Sequence, residues 1–160
     1  MTVDASDDIR FMREALKLAA EAAGAGEVPV GAVATAGGEI VASGRNRVEE
    51  KCSVGAHAEF EVLHQLEHLS GDWRMSDYTI YVTKEPCPMC AGMLVNARIG
   101  RIVYGISDPS GGGCGGALDI TGAPGVLWHP EVTGGVMADE AAHLLRDFFR
   151  SARQRSKEAK

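Results

Sequence analysis

The sequence has 160 residues, 45% of them hydrophobic and 24% charged, enough for one domain that buries roughly two-thirds of its unfolded surface. Its net charge of −6 argues against a general nucleic-acid binder, whose affinity comes from lysines and arginines neutralising phosphates. No apolar run approaches membrane-spanning length, the first residues mix acids and bases unlike a signal peptide, and four cysteines fit a reducing compartment, so a cytoplasmic protein is expected.

Ile9, Met12, Leu16, Ala19 and Ala23 recur on one helical face, behind a cap at Ser6 or Asp7, and Gly24–Gly26 ends that helix. Val28–Thr35 and Glu39–Ser43, joined across Gly37-Gly38, read as a β-hairpin. A loop with Arg45-Asn46-Arg47 leads to a helix opened by His57, with Val62, Leu63, Leu66 and Leu69 as its apolar stripe. A strand at Tyr78–Thr83 precedes a helix through Met89–Ala97. Pro86 and Pro88 suit the start of that helix, because a proline's missing N–H would be unpaired in the first turn anyway. Arg101–Gly105 is a further strand, Ser110–Gly116 a permissive glycine-rich loop, and Val132–Met137 holds a short strand. A last helix begins at about Asp139. From Arg146 to Lys160 six basic residues meet two acidic ones, a local charge of +4 that leaves −10 for the rest; such an arm is either a phosphate-facing edge or a solvated helix end. Alternating strands and helices predict an α/β fold, a three-layer sandwich, whose site lies beyond the carboxyl ends of strands, where the segments after Val54 and Thr83 begin.

The chemistry concentrates in His57-Ala58-Glu59 and, 27 residues later, Pro86-Cys87-Pro88-Met89-Cys90. A catalytic zinc takes about three protein ligands and keeps one position for water; His57, Cys87 and Cys90 make three. Glu59 then stands beside the metal without being needed as a ligand, as a proton carrier must. Cys87 and Cys90 share a helix face, and the positive end of that helix favours their thiolates. A lone Cys-x-x-Cys reads equally as a redox dithiol or half of a structural zinc finger. A finger wants a second close pair, however, and Cys52 and Cys114 are isolated, as small buried fillers would be. The combined pattern is the signature of zinc nucleobase deaminases.

Two rival motifs fail on spacing. His64-Gln65-Leu66-Glu67-His68 fits the H-x-x-E-H pattern of some metalloproteases, but a helical wheel puts His57, His64 and His68 with Glu61 on a polar face opposite Val62, Leu66 and Leu69. His57 and His64 are also about 10 Å apart along a helix, too far to share an ion. The glycine-rich loop lacks the Gly-Lys-Ser/Thr of a P-loop.

With Tyr81-Val82-Thr83-Lys84-Glu85-Pro86-Cys87-Pro88-Met89-Cys90-Ala91-Gly92 and Asn96-Ala97-Arg98-Ile99-Gly100-Arg101 added, the chain from about Ile9 to Arg155 closely resembles bacterial tRNA-specific adenosine deaminases, members of the cytidine deaminase superfamily. The resemblance implies a single deaminase domain over residues 1–160, with a mixed five-stranded sheet and helices on both faces. It implies one Zn²⁺ per subunit on His57, Cys87 and Cys90, with Glu59 moving protons as the wobble adenosine becomes inosine. Asn46, the backbone at Ala58, the Pro86 segment and Asp108 are then expected at the target nucleoside. Phe149, Arg150 and Arg153 of the basic last helix are expected on the tRNA anticodon stem-loop. Members are homodimers, and neither a membrane nor DNA is expected as a partner. The chain departs from the pattern at Ser107 and Ser110, where members commonly carry cations, at Leu127-Trp128-His129-Pro130, and at Lys84, which replaces an apolar residue; each lost cation that faced a phosphate removes one contact and its salt dependence. The alternatives are a deaminase of free guanine, cytosine or a nucleoside, and a non-catalytic zinc-stabilised RNA-binding module, which would have no use for Glu59.

Overall fold

Why these segments stack as they do follows from which side chains each strand sends to which face. In a computed structural model, which describes residues 4–160, the chain forms α1 (Ala5–Gly24), β1 (Gly31–Ala36), β2 (Glu39–Arg45), α2 (Val48–Lys51) and α3 (Ala58–Ser70). It continues through β3 (Thr79–Lys84), α4 (Pro88–Asn96), β4 (Arg101–Ile106), β5 (Glu131–Thr133) and α5 (Ala138–Glu158). The strands make one sheet in the order β2-β1-β3-β4-β5. β1 runs antiparallel to β2 and β3, whereas β3, β4 and β5 are parallel. Alternate strand residues feed two cores. Ala32, Ile80, Val82 and Ile102 pack with Val62, Leu66 and Leu94 of α3 and α4 on one face. Val33, Tyr81 and Val103 pack with Phe11, Met12 and Ala141 of α1 and α5 on the other. The expected α/β/α sandwich with a mixed five-stranded sheet is what forms.

Close approach of α1 to the sheet depends on Gly31, where a Cβ would stand 2.1 Å from the Ala15 carbonyl oxygen. A buried polar clasp ties the same layers. Asp8 accepts from Tyr81 Oη at 2.8 Å and from Arg101 Nη1 and Nη2 at 2.8 and 2.9 Å, joining α1 to β3 and β4. Burial pushes the Asp8 carboxyl up, but the hydrogen bonds from Arg101 and Tyr81 and the charge of Arg101 outweigh it and hold it below the usual range.

Several expected boundaries shift, each for a local reason. Asp4 caps α1, its side chain accepting from Ser6 N–H at 3.3 Å, so the cap falls before Ser6 and Asp7. Ile9 is 43% exposed; Phe11, Met12, Ala15, Leu16, Ala19 and Ala22 carry the buried stripe, turned about one position from the expected one. Val28 lies outside β1, since Val30 N–H turns back on the Val28 carbonyl at 2.8 Å. The short α2 has too few residues to show periodicity; Glu27 Oε1 and Oε2 seat its first turn by accepting from Glu49 and Glu50 N–H at 3.0 and 2.8 Å. Cys52, expected buried, ends α2 with φ of 49° and is exposed. Val54 is also exposed, so the His57 segment follows a loop and not a strand end. Leu69 falls on the solvated end of α3. β5 stops at Thr133, before Gly135 turns at a φ of 84°. His64 and His68 are exposed, as a solvated helix face requires.

Candidate metal centre and active site

Two helix N-termini meet at one point. His57 is the N-cap of α3 and Cys87 the N-cap of α4, with Pro88 in the first turn and Cys90 one turn in. Neither side chain is spent on an ordinary capping hydrogen bond, and the two turn toward each other. His57 Nδ1 lies 3.7 Å from Cys87 Sγ and 3.4 Å from Cys90 Sγ, and the donor atoms all fall within 4.8 Å of one another. Among the described residues this is the one such group of three or more metal-ligand side chains. Zinc takes thiolate sulfur at about 2.3 Å and imidazole nitrogen at about 2.0–2.1 Å, which makes the N···S edge of a tetrahedral site about 3.6 Å long. The observed edges bracket that length.

The thiols carry the same message. A hydrogen bond from Cys90, then His57, lowers Cys87 to about 4 against the opposing effect of burial, whereas Cys90, donating to Cys87 and buried, is pushed up. Two thiolates this close repel, and a divalent cation between them removes the conflict. His57 as N-cap also explains why a wheel drawn through α3 misplaces it: its backbone is extended, at φ −73° and ψ 156°.

Glu59 sits in the first turn of α3 and is 4% exposed. Burial pushes its carboxyl up, only partly offset by its backbone hydrogen bond and the charge of His57. It opens on a cavity of about 410 Å³, within the usual range for small-molecule sites. His57, Ala58, Glu59 and Cys87 form part of its wall, together with Asn46, Lys84, Glu85 and Phe148. Asn46 is 7% exposed. Its N–H donates to the Val30 carbonyl at 3.0 Å and its carbonyl accepts from Arg45 Nη1 at 3.1 Å, so only the carboxamide is left for the cavity.

The remaining expected residues lie farther out. Pro86 is buried, and its carbonyl is taken by Gly113 N–H at 2.7 Å; Glu85 and Cys87 on either side line the cavity instead. Asp108 accepts from Ser110 and Gly111 N–H at 3.0 and 3.1 Å through Oδ1 and pairs with Lys84 Nζ at 3.1 Å through Oδ2. Phe149 is 45% exposed and stands outside the cavity wall, where its neighbour Phe148 belongs; the two rings meet edge to face at 5.4 Å. Arg150 and Arg153 project from α5 into solvent, Arg150 within 3.6 Å of Asp147.

Glu85 escapes a motif-based reading. It is 3% exposed and gathers the loop after β4: Oε1 accepts from Ser107 Oγ at 2.9 Å and Asp108 N–H at 3.0 Å, Oε2 from Cys114 N–H at 3.0 Å and Gly116 N–H at 2.9 Å. Burial pushes the carboxyl up, but the backbone N–H groups prevail and hold it below the usual range. The loop can wrap this closely only through glycine, since a Cβ on Gly112 or Gly116 would stand 2.1 or 2.6 Å from the carboxylate. An acid one residue before the Pro-Cys pair, matched with a distant glycine cluster, was the available signal.

Residues 6–153 match the model of a family described as MafB19-like deaminase. A tRNA-specific adenosine deaminase of Bacillus subtilis is 39% identical over 155 residues, covering 97% of this chain and 96% of that protein. A Deinococcus radiodurans protein named tRNA(Ile)-lysidine synthase is 49% identical over 146 residues, but this chain spans only 25% of its length. Among solved structures, one from a study of A-to-I editing by tRNA:A34 deaminases at the wobble position superposes with a TM-score of 0.82 at 38% identity, covering 85% of this chain and 99% of the other.

Proposed function

The chain belongs to the MafB19-like deaminase family and to the tRNA-specific adenosine deaminases, and from that premise we propose that it hydrolyses adenosine to inosine at the wobble position of tRNA. The observation that carries this reading is the buried Glu59 carboxylate standing beside a three-donor cluster that does not need it, at the wall of a nucleoside-sized cavity.

His57, Cys87 and Cys90 would hold Zn²⁺, one per subunit, which supplies Lewis acidity that makes water a nucleophile near neutral pH. Glu59 takes one proton from the attacking water and delivers it to N1 of the purine as the oxygen adds to C6, then takes the second from the new C6 hydroxyl and passes it to the departing 6-amino nitrogen. The C6–N6 bond breaks, and inosine and ammonia leave. Asn46 holds the nucleoside by its carboxamide, the backbone at Ala58 and the segment through Pro86 shape the pocket, and Asp108 stands at its rim. An adenosine must leave its stack to reach such a cavity. The basic stretch of α5, with Phe149, Arg150 and Arg153, suits the phosphates of the anticodon stem-loop. One deaminase domain over residues 1–160, a homodimer and a cytoplasmic setting complete the proposal; among the described residues no helix is long and apolar enough to cross a membrane.

The test is incubation of the zinc-loaded protein with an anticodon stem-loop carrying adenosine at the first anticodon position, alongside free guanine, cytosine and cytidine. Inosine in the digested RNA is the expected product. Turnover of a free base without inosine in RNA overturns the reading.

A further inference from the structure

Resting on that reading, we propose that Lys84 is a specificity-determining residue, contacting a phosphate next to the target nucleoside and so favouring a nucleoside within a polynucleotide over a free base. Lys84 ends β3 and, among the described residues, is the one lysine or arginine on the cavity wall, which it shares with four acids, Glu27, Glu49, Glu59 and Glu85, and with His57. A wall of carboxylates repels phosphate, and a neutral base needs no cation. The segment from Ser107 to Gly116, which lies over the same side, contains no lysine or arginine either.

The ion pair with Asp108 does not use Lys84 up. Asp108 is held without it: Oδ1 accepts from Ser110 and Gly111 N–H, and its own N–H donates to Glu85 Oε1. Lys84 engages only Oδ2. An ammonium has three donors, and the Lys84 side chain is 36% exposed, so two N–H groups remain for a ligand while Asp108 fixes the direction in which the ammonium points. A lysine needed only to position Asp108 would duplicate restraints the loop already has.

The experiment uses the zinc-loaded protein and the same RNA stem-loop, with steady-state rates measured over a range of salt concentrations for wild type, Lys84→Met and Lys84→Arg. Lys84→Met is expected to raise KM about tenfold with kcat within about twofold, and to flatten the slope of log kcat/KM against log salt by about 0.7–0.9, the share of one phosphate. Lys84→Arg restores the slope. An unchanged KM and slope in Lys84→Met, or a fall in kcat alone, overturns the inference while leaving the deaminase reading intact. Wild-type protein that forms no inosine overturns both.

Discussion

Replacing Glu85 by alanine strands three backbone N–H groups, those of Asp108, Cys114 and Gly116, together with the Ser107 hydroxyl. An unsatisfied buried donor costs about 1–3 kcal/mol. Water entering the vacated space rescues part of this, and the hydroxyl can rotate, so the lower end applies to each backbone group and the total is about 3 kcal/mol. Glutamine behaves differently. With its carbonyl toward Cys114 and Gly116 and its amide toward Ser107, whose hydroxyl can turn to accept, only the Asp108 N–H loses its partner, for about 1–3 kcal/mol. In a chain of this size each kcal/mol moves the melting temperature by about 2–4 °C, so thermal and urea unfolding at fixed free zinc separate the two variants. Both should raise KM for the RNA, because Asp108 is carried on the released loop. An alanine variant within about 1 kcal/mol of wild type would refute the reasoning, as would a glutamine variant less stable than the alanine one.

Glu59→Ala should keep its metal and lose deamination, whereas Cys87→Ala should lose both; elemental analysis of the purified variants decides, and a metal-free Glu59 variant would make that residue a ligand. Asn46→Ala should retain metal and fold but lose about tenfold in kcat/KM, the worth of one hydrogen bond at the upper end of its range, and an unchanged value removes it from the substrate site. Asp8→Asn tests the clasp through pH. The folded carboxyl lies below its unfolded value, so its contribution is present above the ordinary aspartate value of about 3.9 and fades as pH falls through the folded one. The stability gap between Asp8→Asn and wild type in urea should therefore be wide at neutral pH and narrow in acid; a gap that widens in acid would contradict it.

What could be read along the chain was whatever depends on near neighbours. His57, Glu59, Cys87 and Cys90 announce themselves because ligand spacing is local and each group opens a helix. The three-layer order follows from alternating periodicities. Ile9 and Leu69 were misplaced because a stripe's exact azimuth, and the turn at which it leaves the core, depend on what packs against it. Phe148 and Phe149 are chemically equivalent on paper, and only the seat of α5 on β4 sends one toward the cavity and leaves the other in water.

The sequence by itself determined a deaminase pattern, with a His/Cys/Cys set whose donor types and spacing suit a metal ion. Tertiary structure alone decided the surroundings: Glu85 closing a loop from 22 to 31 residues away, Lys84 brought against Asp108, and Asp8 joined to Arg101 across 93 residues. Those contacts depend on how parallel β3 and β4 lie side by side and how α1 crosses them. Such long-range pairings leave no period in the chain, because what selects them is burial of a charge that must find its partners in the folded state.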